Sequence, residues 1–243
     1  MTNPAFVSQV KAGLHNKPLN EFLSKAVAEV RERFHGSLTY ASLVWEDVDW
    51  NLFDYMGVNH YRVTRIEDRY VDMLKPAFTH GKPVVITEFG YGTCQTGLGS
   101  EGFLGSAGLG GNIIDLRSQF LHYKLPLIGR FIRPHLRGSH VRDEAWQARR
   151  LVEQLTLLDE AGAEGAFISQ FVSQITPCNS DSKRDLDMAS ASLVKYYEGG
   201  YEEPPTRTCL GSPRSHLGQL QTPTPTTSVE TLAVHREATS ISA

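Results

Sequence analysis

No apolar run in the 243 residues approaches the length of a bilayer span, so the sequence offers no candidate transmembrane helix. A basic excess is also missing. The chain has 24 Lys and Arg against 27 Asp and Glu, a formal net charge of -3, which gives no electrostatic footing for nucleic acid or an anionic membrane surface. Cysteine is scarce: Cys94, Cys178 and Cys209 are scattered and odd in number, and suggest neither a disulfide framework nor a metal site. The nine histidines show no zinc-type spacing. No cofactor and no metal are expected. Asn-x-Ser/Thr does not occur, and the opening MTNPAFVSQVKAGLHNKP lacks the basic-then-apolar layout of a secretory leader. The expectation is a cytoplasmic location in a reducing compartment.

What is present is a chain 40% hydrophobic, enough for one sizeable core or one domain with a tail. Segments of helical and strand period alternate. LNEFLSKAVAEVRERF (19–34) places Leu19, Phe22, Leu23, Ala26, Val30 and Phe34 on one face, with Pro18 in the first turn and Gly36 past the end. SLTYASLV (37–44), FDYMGVNHYR (53–62), VVITEF (84–89) and AFISQFV (166–172) read as strands. Residues 68–80, a long segment from near Val141 with Asp143 and Glu144 in its first turn, and MASASLVKYYE (188–198) read as helices. Strands alternating with helices predict βα units and a parallel sheet, with strands buried on both faces. Two stretches stand apart. Residues 91–140 form a long loop whose first half is glycine-rich. Residues 199–243 are rich in Pro, Ser and Thr with no sustained period, and predict a disordered tail after a domain spanning 1–198.

Gly97-Leu98-Gly99-Ser100-Glu101-Gly102 matches G-x-G-x-x-G. It starts several residues after its strand and runs into more glycine instead of a helix, so the preferred reading is a Gly-rich loop and not a dinucleotide site. Asp181, Asp185 and Asp187 lack the spacing of a calcium hand and read as a solvated loop. Glu88 is different. It ends an apolar β-branched run, Val84-Val85-Ile86-Thr87, where a buried strand has no favourable place for a negative charge. Trp45 and Glu46 follow one strand, Asn59, His60, Tyr61 and Arg62 end another, and Gln170, Ser173 and Gln174 lie near the end of the last. Alternation puts Asn59 and Tyr61 on one face and His60 on the other. Amide and aromatic groups beside a carboxylate suit a sugar. The alternative is a Glu88 tied to Arg62 that only holds the rim together.

KPVVITEFG (82–90) resembles the end of the seventh strand in retaining glycoside hydrolases of the clan A (β/α)8 superfamily, where a catalytic glutamate sits in a Thr-Glu-Phe-Gly-like context. FDYMGVNHYR resembles their sixth strand. More closely, NPAFVSQVKAGLHNKPLNEFL, LTYAS, VDWNLFDYMGVNHYR, HGKPVVITEFG, VRDEAWQARRLVEQL and DLDMASASLVKYY resemble a family of predicted barrel proteins, many labelled abortive infection protein.

The resemblance implies a partial (β/α)8 TIM barrel, with SLTYASLV as strand five, DYMGVNHYR six, VVITEF seven and AFISQFV eight. Strands one to four would precede Met1. It implies Glu88 as the retaining nucleophile acting on O-glycosidic bonds, Tyr61 as its hydrogen-bonding partner, and Asn59, Arg62, Trp45 and Gln170 as substrate-binding positions. Retention requires a second carboxyl group about 5–5.5 Å away. In the resembling enzymes that acid/base ends strand four, and no residue here matches it; Glu46 is the nearest substitute. After KYYEGG the chain also departs from the family's course, so the expectation is a truncated or misassembled product of little activity. A non-catalytic carbohydrate-binding or interaction protein is the alternative from another class, and a phage-defence role is suggested by the family label alone. Four parallel strands leave two open edges. Strand residues such as Leu38, Tyr40, Val85 and Phe167 would lose partners, which predicts marginal stability or self-association.

Overall fold

The computed structural model of the protein describes residues 4–43, 45–94, 113–125, 127 and 131–197. The glycine-rich motif at 97–102 and the tail from 199 onward lie outside the described residues. The fold is mixed α/β, built on a four-stranded parallel sheet: β1 (Ala41–Ser42), β2 (Met56–Asn59), β3 (Val84–Phe89) and β4 (Gly165–Ile168), in the order β1-β2-β3-β4. Parallel neighbours need crossovers. Between β2 and β3 the chain crosses in 3-10 turns (Thr64–Arg69, Asp72–Leu74 and Ala77–His80), tighter than the continuous helix expected over 68–80. Four helices are described: α1 (Pro4–Lys11), α2 (Asn16–Arg31), α3 (Leu116–Lys124) and α4 (Glu144–Glu160). Strand order, direction and the α4 crossover are consistent with a partial (β/α) barrel.

Four β-branched residues in succession favour the extended backbone of β3. Val84, Ile86 and Phe89 are buried and join Tyr70, Leu74, Leu151 and Leu158 in the main core. Val85 and Thr87 are only half-buried, so β3 is not covered equally on both faces as expected for a closed parallel sheet. Phe167 of β4 is exposed. Leu38 and Tyr40, in contrast, pack partly against the core. β1 is shorter than its predicted span because only Ala41 and Ser42 pair with Gly57 and Val58.

Helix α4 starts where the Asp143 side chain accepts a hydrogen bond from Trp146 N at 2.8 Å, an N-cap that satisfies one of the helix's unpaired donors. Its Leu151 and Leu158 enter the core. Helix α2 corrects the sequence reading. Leu23 is buried, with Leu19 and Val27 packed against the core, whereas Phe22 and Val30 are 67% and 42% exposed, and Phe34 beyond the helix is 49% exposed. The helix closes on Glu32 in a right-handed conformation, so Gly36 is not its cap.

Two further expectations are overturned. The predicted last helix is a 3-10 turn, Leu186–Ala189, followed by extended chain. The Ser190 hydroxyl bonds Asp187, Ser192 N bonds the Ser190 hydroxyl, and Leu193 N and Val194 N bond Phe171 O, so side chains and the segment after β4 take the groups a helix would use. The Asp185–Asp187 stretch is not solvated either. Both carboxylates are buried against Arg142, whose Nη2 lies 2.6 Å from Asp185 and whose Nη1 lies 2.8 Å from Asp187. Only Asp181 of the three is exposed. Beyond Tyr91 the chain builds a second small core of Cys94, Ile113, Ile114, Leu136, Leu186, Met188 and Ala189, so the described part of the long loop is anchored. No described helix is long and apolar enough to cross a membrane.

Candidate active site

The site forms at the C-terminal ends of β2, β3 and β4, and a register shift creates it. Val58 pairs with Ile86, but Asn59 pairs with Glu88; on the other side Ile86 pairs with Ala166 and Phe89 with Ile168. Strand β3 therefore carries one extra residue, a bulge, around Thr87 and Glu88. Simple alternation from the buried Val84 and Ile86 would send Glu88 into the core. With the bulge, Glu88 is half-buried beside the half-buried Thr87, and Phe89 takes the core position. His60 N donates to Glu88 O at 2.8 Å and Ser169 N to Phe89 O at 2.8 Å, which pins the bulged backbone from both neighbouring strands.

The Tyr61 hydroxyl donates to Glu88 Oε2 at 2.9 Å. Burial drives the phenol well above its usual range, and the Glu88 charge adds to this, so Tyr61 stays protonated and acts as a donor. The Ser169 side chain is a second hydrogen-bond partner of the phenol, giving a chain from β4 across to Tyr61 and Glu88. Thr87 Oγ1 donates to Asn59 Oδ1 at 2.7 Å, which turns the amide so that its Nδ2 donors have no partner among the described residues. The peptide between Ser169 and Gln170 is cis.

Behind this face His60 is buried and stacked on Tyr70, with ring centroids 4.2 Å apart. Its Nε2 donates to Tyr70 O at 2.8 Å, and the Tyr70 hydroxyl returns a bond to His60 O at 3.1 Å. Gln154 of α4 donates to the Tyr70 hydroxyl at 2.7 Å. Burial lowers the His60 pKa and keeps the ring neutral. This buried set fixes the backbone that presents Asn59 and Tyr61.

Two of the other residues singled out from sequence, Arg62 and Glu46, are held by partners other than Glu88. Arg62 ion-pairs with Glu153 at 2.7 Å and Glu67 at 3.2 Å; the structure does not bring it to Glu88. It belongs to a network with Arg150, whose guanidinium lies 5.1 Å above the Tyr91 ring; burial pushes the Tyr91 phenol up to about 12. Trp45 is half-buried; its carbonyl accepts from His15 Nε2 at 3.2 Å. Gln170 is half-buried, and its carbonyl accepts from Leu193 N at 3.2 Å. Glu46 is committed to its own loop by Leu43 N at 2.7 Å and by the Tyr40 hydroxyl at 3.3 Å. Sequence reasoning did not assign Thr87 or Ser169. Alternation puts Thr87 on the face of Val85, opposite Glu88, and only the bulge brings the two together; Ser169 directly follows a strand.

A half-buried carboxylate with a phenol donor on one oxygen can act as a nucleophile toward an electrophilic carbon. Among the described residues no group of three or more His, Cys, Asp or Glu is placed to hold a metal ion. A solved structure described as the complex of a GH113 beta-1,4-mannanase is similar to the chain, with a TM-score of 0.41 and 14% identity over 63% of this chain and 40% of that one. The chain thus spans two-fifths of that structure's length. At this level the likeness fixes neither family nor activity. No family model matches, and no curated protein does.

Proposed function

We propose that the protein is glycoside hydrolase-like, acting on O-glycosidic bonds with Glu88 as the nucleophile. The observation that carries this reading is the Tyr61–Glu88 hydrogen bond at the end of a bulged parallel strand. Glu88 would attack the anomeric carbon, and the bond to the leaving oxygen would break with its electron pair going to that oxygen. Tyr61 holds the attacking carboxylate in place, and Asn59 Nδ2 offers a donor to a sugar hydroxyl. Leaving-group protonation is the weak step. Glu46, the nearest substitute acid, is engaged with Leu43 and Tyr40, so ordinary glycosides turn over slowly.

The test removes the need for an acid. A panel of 2,4-dinitrophenyl 2-deoxy-2-fluoroglycosides carries a leaving group that departs unprotonated. The expected result is a covalent fluoroglycosyl adduct on Glu88, seen by mass spectrometry of the digested chain and absent in Glu88→Gln. No adduct across the panel, or one on another residue, would sink the assignment. The engagement of Glu46 also favours a second reading, carbohydrate binding without turnover. A glycan bound equally by wild type and Glu88→Gln, with no adduct, would select it. Nothing in the structure bears on the phage-defence reading.

A further inference from the structure

Helix α3 turns aromatic residues away from the fold. On its inner side Ser118 is buried, its hydroxyl donating to Asp115 O at 2.7 Å and accepting from His135 N at 3.2 Å. Its outer side carries Arg117, Phe120 and Lys124, spaced by three and four, with Tyr123 beside them, and all four are exposed. Residues 131–136 run back along the helix. His122 Nδ1 donates to Ile132 O and Asp115 N to His135 O, each at 2.8 Å, so Phe131 returns near the C-terminal end of α3. Leu125 and Leu127 leave from that same end and are exposed too. Phe120 and Tyr123 are 60% and 55% exposed, and Leu127 and Phe131 are 83% and 87% exposed. Side chains this bare stand out from the surface and line no groove. One of them alone would mean little, but a cluster marks a contact surface.

Charge pattern selects the occupant. Residues 116–141 hold five Lys and Arg and no Asp or Glu. The net charge of -3 averages this segment with a net acidic remainder, so the whole-chain balance hides it. The nearest carboxylate in the sequence, Asp115, caps the opposite end of α3. Arg184, which shares a cavity wall with Tyr123, is balanced by Asp181 at 3.5 Å. A second copy of the tip would set like charges against each other. An anionic bilayer takes both parts of the pattern. Phe and Leu side chains enter among the acyl chains, and Lys and Arg stay with the headgroups.

We propose that the tip built from α3, Leu125, Leu127 and Phe131 docks on an anionic lipid bilayer, lying on it without crossing. The proposal does not depend on the role of Glu88.

The experiment floats the full chain in a density gradient with vesicles of phosphatidylcholine, alone or with about 30% phosphatidylserine, which leaves aggregated protein behind. The chain should bind the anionic vesicles at least about tenfold more tightly than the neutral ones, and high salt should remove most of that difference. Arg117→Gln with Lys124→Gln should weaken binding to anionic vesicles by about tenfold. Leu127→Ser with Phe131→Ser should weaken it by at least about tenfold. Lys25→Gln, at an exposed position on α2, should bind like the wild type. All these positions are exposed, so the variants should keep the wild-type circular dichroism. Leu127→Trp should add emission that anionic vesicles shift to the blue and that lipids brominated in their acyl chains quench. Equal binding to both vesicles, tip variants that bind like the wild type, or a tryptophan at position 127 that stays in water would each overturn the proposal. So would failure to bind either vesicle, the outcome expected if the tip holds a protein instead.

Discussion

Replacing Arg142 with methionine tests a buried charge cluster. The guanidinium is mostly buried and holds Asp185 through Nε at 3.1 Å and Nη2 at 2.6 and 2.7 Å, Asp187 at 2.8 Å and Glu144 at 3.3 Å. Burial alone works against its charge; Asp185 and Asp187 more than offset this and hold Arg142 above its usual range. Methionine roughly keeps the stem and removes the charge, so two buried carboxylates lose their guanidinium partner. Breaking one side of a buried pair costs about 3–5 kcal/mol. With an m value of about 2 kcal/mol/M, the urea midpoint should fall by about 2 M at pH 7. The pH dependence sharpens the test. Burial pushes Asp185 above the usual carboxylate range even with Arg142 pulling it down. A raised folded-state pKa means stability is fully present below the unfolded value and is lost as pH rises through the folded one. Without Arg142 that loss grows, so the gap between variant and wild type should be widest at pH 7 and narrow on acidification toward pH 5. Urea unfolding followed by circular dichroism at both pH values measures it. A deficit under about 1 kcal/mol at pH 7, or one that does not narrow in acid, would refute the reasoning.

Three other outcomes are expected. Tyr61→Phe removes a hydrogen bond to a charged group, worth about 1.5–3 kcal/mol, so fluoroglycoside labelling of Glu88 should slow by about tenfold or more; an unchanged rate would mean the phenol does not position the carboxylate. His60 is held neutral by burial, with its pKa depressed, so its contribution to stability is present above pH 6.5 and lost as pH falls through the folded value; His60→Gln should flatten that slope in the wild-type unfolding profile. Strands β1 and β4 each lack a second neighbouring strand among the described residues, and Phe22, Phe171 and Ile175 are more than 60% exposed. Sedimentation should show concentration-dependent self-association, and a stable, cooperatively unfolding monomer at all concentrations would count against it.

Much of the sheet was legible because its signals are local. Val84-Val85-Ile86-Thr87 marks β3 by β-branching alone, and Asp143 announces the start of α4 by its capping chemistry. The misreadings arise where a distant partner decides. Asp185 and Asp187 look solvated until Arg142, 43 residues earlier than the first of them, buries them. Ser190 and Ser192 sit in a helix-like apolar pattern, but their local bonds and the pairing with Phe171 keep the chain extended. Arg62 follows Tyr61 at a strand end, yet Glu67 and Glu153 take its charge.

The same reasoning applies to Glu88. In the sequence its position at the end of an apolar strand poses a contradiction, since strict alternation after Ile86 would bury it. The contradiction is resolved by one extra residue in β3 relative to both neighbours, which no property of VVITEF itself reveals because register belongs to the pair of strands. The bulge puts Thr87 and Glu88 together outside the core and lets Phe89 close it. It also brings Glu88 level with Asn59, so that Tyr61, two residues further along, reaches Glu88 Oε2. Removing the bulge would send Glu88 toward Ile86 and Phe89, where burying an unpaired carboxylate costs several kcal/mol. Placing this glutamate at the sheet end and keeping it out of the core are therefore one structural event, and Tyr61 supplies the hydrogen bond that the remaining burial requires.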